Sequence, residues 1–97
     1  MRVRYTKPAL ADLSDSFDYV CEHNPAAALD IVDAIEASIK NLPQHPRMGR
    51  EGRWPDTREL IVPGTDYIVA YEIGAGEIII IGVIHGAKRW PNRNEHG

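Results

Sequence analysis

Two β-forming runs, residues 67–73 (YIVAYEI) and 77–83 (EIIIIGV), are separated only by Gly74-Ala75-Gly76. So short a glycine-bearing link makes the runs pair as an antiparallel hairpin. A third run, residues 58–62, reaches the first of them through Pro63-Gly64, a turn-forming pair. Three sequential strands joined this way form a meander, and the rest of the chain must be built onto it. Residues 78–81 are four consecutive isoleucines, as expected of a central strand covered on both faces.

The front half supplies the cover. Residues 2–5 alternate charged and apolar side chains, the pattern of a half-buried strand. Thr6 offers an N-cap hydroxyl, and Pro8 falls in the first helical turn, where its missing N–H costs nothing. Leu10, Leu13, Phe17, Val20 and Cys21 then recur at spacings of three and four, which predicts one apolar helical face. Asn24-Pro25 ends that helix and starts a second, with Asn as cap and Pro at the first position. Ala28, Ile31, Val32, Ile35, Ile39 and Leu42 form the second stripe, and so short a link folds the helices into a hairpin. Pro43-Gln44-His45-Pro46 stops the second helix. The following stretch to Pro55, rich in Pro, Gly and Arg, reads as a structureless loop of about a dozen residues, a length that is often functional. The expected fold is α+β in the order β-α-α-β-β-β: an antiparallel sheet with an α-helical hairpin on one face, and strand one at an edge or the centre. Residues 1–97 form one domain, with a polar tail at 92–97 that is expected to fray.

Several function classes drop out. No run approaches the ~20 apolar residues of a membrane span. The N-terminal residues lack an apolar signal core, and Cys21 is the single cysteine. A cytoplasmic chain without disulfides is therefore expected. Cys21 lies on the apolar helix face with no basic neighbour and reads as a small core residue. No closely spaced Cys/His set suggests a metal site. The glycines at 74 and 76 belong to a hairpin turn and not to a phosphate or dinucleotide loop, and Ser14, Ser16 and Ser38 all fall within helices. No cofactor is implied.

A net charge of −3 argues against a nucleic-acid binder on bulk charge, but the charge is unevenly spread. Seven acids between Lys7 and Leu42 (Asp12, Asp15, Asp18, Glu22, Asp30, Asp33, Glu36) face only Lys7 and Lys40. Arg47, Arg50, Arg53 and Arg58 then outnumber Glu51 and Asp56, and His85 to Arg93 holds Lys88, Arg89 and Arg93 with no acid. Three candidate sites follow. His85 stands at a strand end near Lys88 and Arg89, where an imidazole could move a proton while cations hold phosphate; a solvent-facing histidine in a turn is the commoner reading. The arginine loop with Trp54 combines bidentate cations and a stacking aromatic, the makings of a binding surface. Trp90-Pro91 reads first as an anchor for the tail.

The wording of the chain resembles the RelE/ParE superfamily of type II toxins over nearly its whole length. The resemblance rests on the opening strand followed by KPALADL, the start of helix two at Asn24-Pro25-Ala26-Ala27-Ala28, and the link LPQHPRMGR. It is most specific in RELIVPGTDYIVAYEI followed by VIHGAKRWP. It implies a small bacterial toxin neutralised by a cognate antitoxin, whose N-terminal half typically binds DNA and whose extended C-terminal half folds on the toxin. RelE-like members cut mRNA in the ribosomal A site; ParE-like members poison DNA gyrase. The ribonuclease branch commonly keeps Tyr-Arg in the middle strand, and this chain has Tyr67-Ile68. No tyrosine follows Tyr71, and arginines stand where lysines are expected. Losing a charge-assisted contact to a transition-state phosphate costs several kcal/mol, so the resemblance favours the ParE-like branch and a plasmid-stabilising, gyrase-directed toxin. On that branch Arg50, Arg53, Trp54, Lys88, Arg89 and Trp90 are the expected target contacts. On the ribonuclease alternative His85, Arg89 and Arg58 are the expected catalytic set, with the ribosome and mRNA as partners. A third alternative is an inactive relative that only binds its antitoxin.

Overall fold

A computed structural model describes residues 1–86. In chain order it contains β1 (Arg2–Tyr5), α1 (Lys7–His23), a 3-10 turn (Pro25–Ala27), α2 (Ala28–Asn41), β2 (Arg50–Glu51), β3 (Arg58–Ile61), β4 (Tyr67–Gly74) and β5 (Glu77–His85). The Thr6 hydroxyl caps α1 by accepting from the Ala9 amide, as the sequence predicts. Asn24 behaves differently from the expectation. It makes no side-chain cap, and its amide instead donates back to the Val20 carbonyl to close α1.

The strands form one five-stranded sheet in the order β1-β5-β4-β3-β2. The predicted meander is present: β3, β4 and β5 pair antiparallel in sequence. The sheet is nonetheless mixed, because β1 lies parallel to β5 at the edge. Chain direction explains this. Two helices return the chain to the end of the sheet where β1 stopped, and the stretch after α2 runs back before β3 begins. That return stretch is not the structureless loop of the sequence reading. Its Arg50–Glu51 segment pairs antiparallel with β3, Arg50 opposite Glu59 and Glu51 opposite Arg58.

The core lies between the helices and one sheet face. Ile35, Ile39 and Leu42 of α2 and its C-cap meet Val62, Val69, Tyr71, Ile78 and Ile80, all fully buried. Each aliphatic side chain so buried contributes about 1.5–3 kcal/mol. Leu10 departs from its expected stripe and is exposed, while Ala9 takes the inward position on α1. Among the described residues the opposite sheet face carries no helix. The isoleucine run is accordingly covered on one side only: Ile78 and Ile80 are buried, Ile79 and Ile81 half-buried.

One irregularity decides which way the end of β5 points. Tyr71 pairs with Ile80 but Ala70 pairs with Gly82, so Ile81 is an extra residue in β5. Such a bulge reverses the alternation beyond it. Val83 and His85 are thereby turned to the helical face, opposite Val69 and Tyr67. The Val83 amide donates to the Asp12 carboxylate of α1 at 3.1 Å, which ties the helix to the bulged strand.

Candidate functional site

The arginine-rich segment is held in place by two buried side chains that sequence reading did not single out. The first is Tyr71, on the helical face of β4. Its hydroxyl donates to the Pro46 carbonyl at 2.7 Å and accepts from the Gly49 amide at 2.9 Å. Burial raises the Tyr71 pKa, and the Gly49 hydrogen bond and the nearby Arg58 oppose that rise. Gly49 must be glycine here, since a Cβ would stand 2.8 Å from the tyrosine ring and hydroxyl. Arg58 completes the clip by donating to the Gly49 carbonyl at 2.7 Å.

The second is Glu59, 3 % exposed and the one buried carboxylate among the described residues. It points to the open face of β3, alternating with Arg58 and Leu60, which face the helices. Arg50 Nη2 lies 3.4 Å from Oε1, Arg53 Nε lies 3.5 Å from Oε2, and the Arg53 backbone amide donates to Oε2 at 3.2 Å. Beyond this clamp the chain turns sharply. Thr57 donates to the Trp54 carbonyl through both its amide and its hydroxyl, and the Gly52 amide donates to the Thr57 carbonyl. Pro55 occupies the second turn position and Asp56 the third, at φ 65°, where glycine or asparagine is usual. Trp54 stands at this tip, 40 % exposed.

His85 occupies a different region. Its ring meets Tyr67 edge-on at 5.3 Å between centroids, and its Nε2 lies 3.8 Å from the exposed Asp66 carboxylate. Burial also raises the Tyr67 pKa, a hydrogen bond with Ser16 of α1 opposing it. His85 and Arg58 share the helical face but are not brought together. Their partners on β4, Tyr67 and Tyr71, are four residues apart, so the two lie about 13 Å apart along the strands and about 10 Å across them. Lys88, Arg89 and Trp90, and the tail at 92–97, lie outside the described residues.

The open sheet face separates two charge clamps. At one edge Arg4 and Arg2 reach Glu77, at 3.3 and 3.9 Å. At the other, Arg50 and Arg53 reach Glu59. Ile61, Ile68, Ala70, Gly82 and Ile84 fall between them, read from the register. Ile68, the position where the resemblance to the ribonuclease branch leads one to expect arginine, thus lies in an apolar strip. Among the described residues no group of three or more His, Cys, Asp or Glu side chains could hold a metal, and no helix is long and apolar enough to cross a membrane.

Glu59 could have been found from the sequence only with β2 in hand. Once Arg50–Glu51 is a strand, hairpin pairing sets Arg50 opposite Glu59. A two-residue strand has no periodicity to read.

Comparison with known proteins agrees with this picture. Residues 3–90 match the family model described as ParE toxin of type II toxin-antitoxin system, parDE. The chain is 34% identical over 90 residues to Y4kP of Sinorhizobium fredii, covering 93% of each. It is 30% identical over 87 residues to toxin RelE2 of Caulobacter vibrioides, covering 90% of this chain and 97% of the other. Among solved structures, the chromosomal ParDE toxin-antitoxin system from P. aeruginosa superposes with TM-score 0.81 at 26% identity, over 88% of this chain and 95% of that one. The isolated E. coli RelE toxin shares the fold, with TM-score 0.62 at 15% identity over 98% and 93%.

Proposed function

The chain belongs to the ParE toxin family of type II toxin-antitoxin systems, and from that premise we propose that it arrests growth in the cytoplasm by inhibiting DNA gyrase and not by cutting RNA. A cognate antitoxin holds it inactive, in the manner of the toxin-antitoxin complexes it resembles in fold. The antitoxin's DNA-binding half stays outside the complex surface, and its extended half folds on the toxin. Trp54 anchors the target contact, with Arg50 and Arg53 beside it, and Lys88, Arg89 and Trp90 are the further contacts we assign to the target from the sequence.

One observation carries this reading. Each described cation on the open sheet face already has a carboxylate partner, and Ile68 stands where a phosphate-binding arginine would be needed. An isoleucine donates no hydrogen bond, and a transition-state phosphate left without its cation loses several kcal/mol of stabilisation. A rigid turn that presents tryptophan beside arginine has instead the composition of a protein-binding hot spot.

Expression in cells lacking the antitoxin tests the proposal. Filamentation and a DNA-damage response with intact transcripts is the expected outcome. Transcripts cut within codons, without DNA damage, would show the ribonuclease alternative to be right. Normal growth would leave only the inactive, antitoxin-binding relative. Co-expressed antitoxin is expected to restore growth in the first two cases.

A further inference from the structure

Residues 47–58 hold four arginines, a composition that normally signals phosphate binding. Two of them converge on a single point, and that point is occupied by the protein itself. Glu59 receives a guanidinium N–H from Arg50 and the backbone amide of Arg53, and the Arg53 guanidinium pairs with it as an ion, Nε 3.5 Å from Oε2. Two cations and a main-chain donor aimed at one pair of oxygens is the donor set of an oxyanion site. The two guanidiniums remain 57 % and 47 % exposed, whereas the carboxylate between them is 3 % exposed.

We propose that Glu59 is the specificity-determining residue of this surface: it fills, as an internal ligand, an anion site that would otherwise take a phosphodiester. An incoming phosphate must displace a buried carboxylate and leave it without its partners, and an unpaired buried charge is strongly unfavourable. The loop is thus closed to nucleic acid while its tryptophan tip stays ordered for a protein partner. The inference deepens the reading above by naming what excludes RNA, but it is tested by RNA binding alone; gyrase inhibition is measured separately and can fail or hold without it.

The test measures binding of a fluorescent single-stranded oligoribonucleotide to the purified full chain over a range of salt concentrations. Wild type is compared with Glu59→Gln, which keeps shape and an acceptor oxygen but removes the charge. Glu59→Gln is expected to bind RNA more tightly, with log K falling more steeply with log[salt] by about 1.4, the value for two freed phosphate contacts at ~0.7 each on a single strand. Adding Arg50→Ala and Arg53→Ala to that variant is expected to abolish the gain. A folded Glu59→Gln protein that binds like wild type would overturn the proposal. A second arm needs no change at Glu59: Arg50→Gln with Arg53→Gln in the wild-type background, which keeps N–H donors toward the carboxylate, is expected to leave RNA binding and its salt slope unchanged. A clear fall in either would show the arginines already open to phosphate and overturn the proposal, even if Glu59→Gln does not fold.

Discussion

Tyr71 shows how one hydroxyl can govern a functional segment. It satisfies the half-buried Pro46 carbonyl and the buried Gly49 amide at once, from a ring that is itself fully buried. Tyr71→Phe keeps the ring and strands both groups, so it is expected to destabilise the fold by about 1–3 kcal/mol. A lower urea midpoint at unchanged m-value would register that loss. Tyr5, Tyr67 and Tyr71 also share a pH signature. Burial raises the pKa of each above the ordinary 10.0, and Glu36 adds to the rise at Tyr5. A phenol with a raised folded-state pKa holds its proton more firmly when folded. Its contribution is therefore complete below pH 10 and is lost as pH climbs through the folded value. Unfolding free energy is expected to fall above pH 10, together with phenolate absorbance appearing later than in the unfolded chain. Very little of this residue-level detail is legible in the sequence. Tyrosine in a β-forming run looks like any other core aromatic, and its hydrogen bonds depend on a loop 22–25 residues away.

Elements with strong periodicity or capping chemistry are the ones that sequence alone resolves. The Thr6 cap, both helices and the three-strand meander follow from spacing and turn residues. The bulge at Ile81 does not, because four isoleucines look apolar in any register. Yet that bulge decides that His85 faces α1 and Tyr67 and not the open face. The short β2 strand escapes for the opposite reason, being defined only by its pairing with β3. Its consequence is functional, since the hairpin from Arg50 to Glu59 becomes a clamped arm with Trp54 at its tip. On the proposed function, Trp54→Ala is expected to weaken target inhibition roughly 30-fold, the equivalent of about 2 kcal/mol for a hot-spot aromatic. The melting temperature should move little, as the Glu59 and Thr57 contacts remain. An unchanged inhibition curve would remove Trp54 from the contact surface.

At the level of the whole molecule, the α+β class and the family were readable from the chain because the most specific wording lies in the strands. The mixed sheet was not, since the direction of β1 depends on how the chain returns between α2 and β3. The division of charge also takes on meaning only in the fold. Three of the four loop arginines, Arg50, Arg53 and Arg58, are engaged by Glu59 and Gly49, and the two described catalytic candidates, His85 and Arg58, sit on different strands about 13 Å apart along them. Both features favour the protein target proposed above. Titration of the purified chain into a DNA gyrase supercoiling reaction tests that most directly. Supercoiling is expected to fall with toxin concentration and to recover when antitoxin is added in equal amount. Full supercoiling at saturating toxin, with mRNA cut in a translating extract by the same preparation, would contradict it.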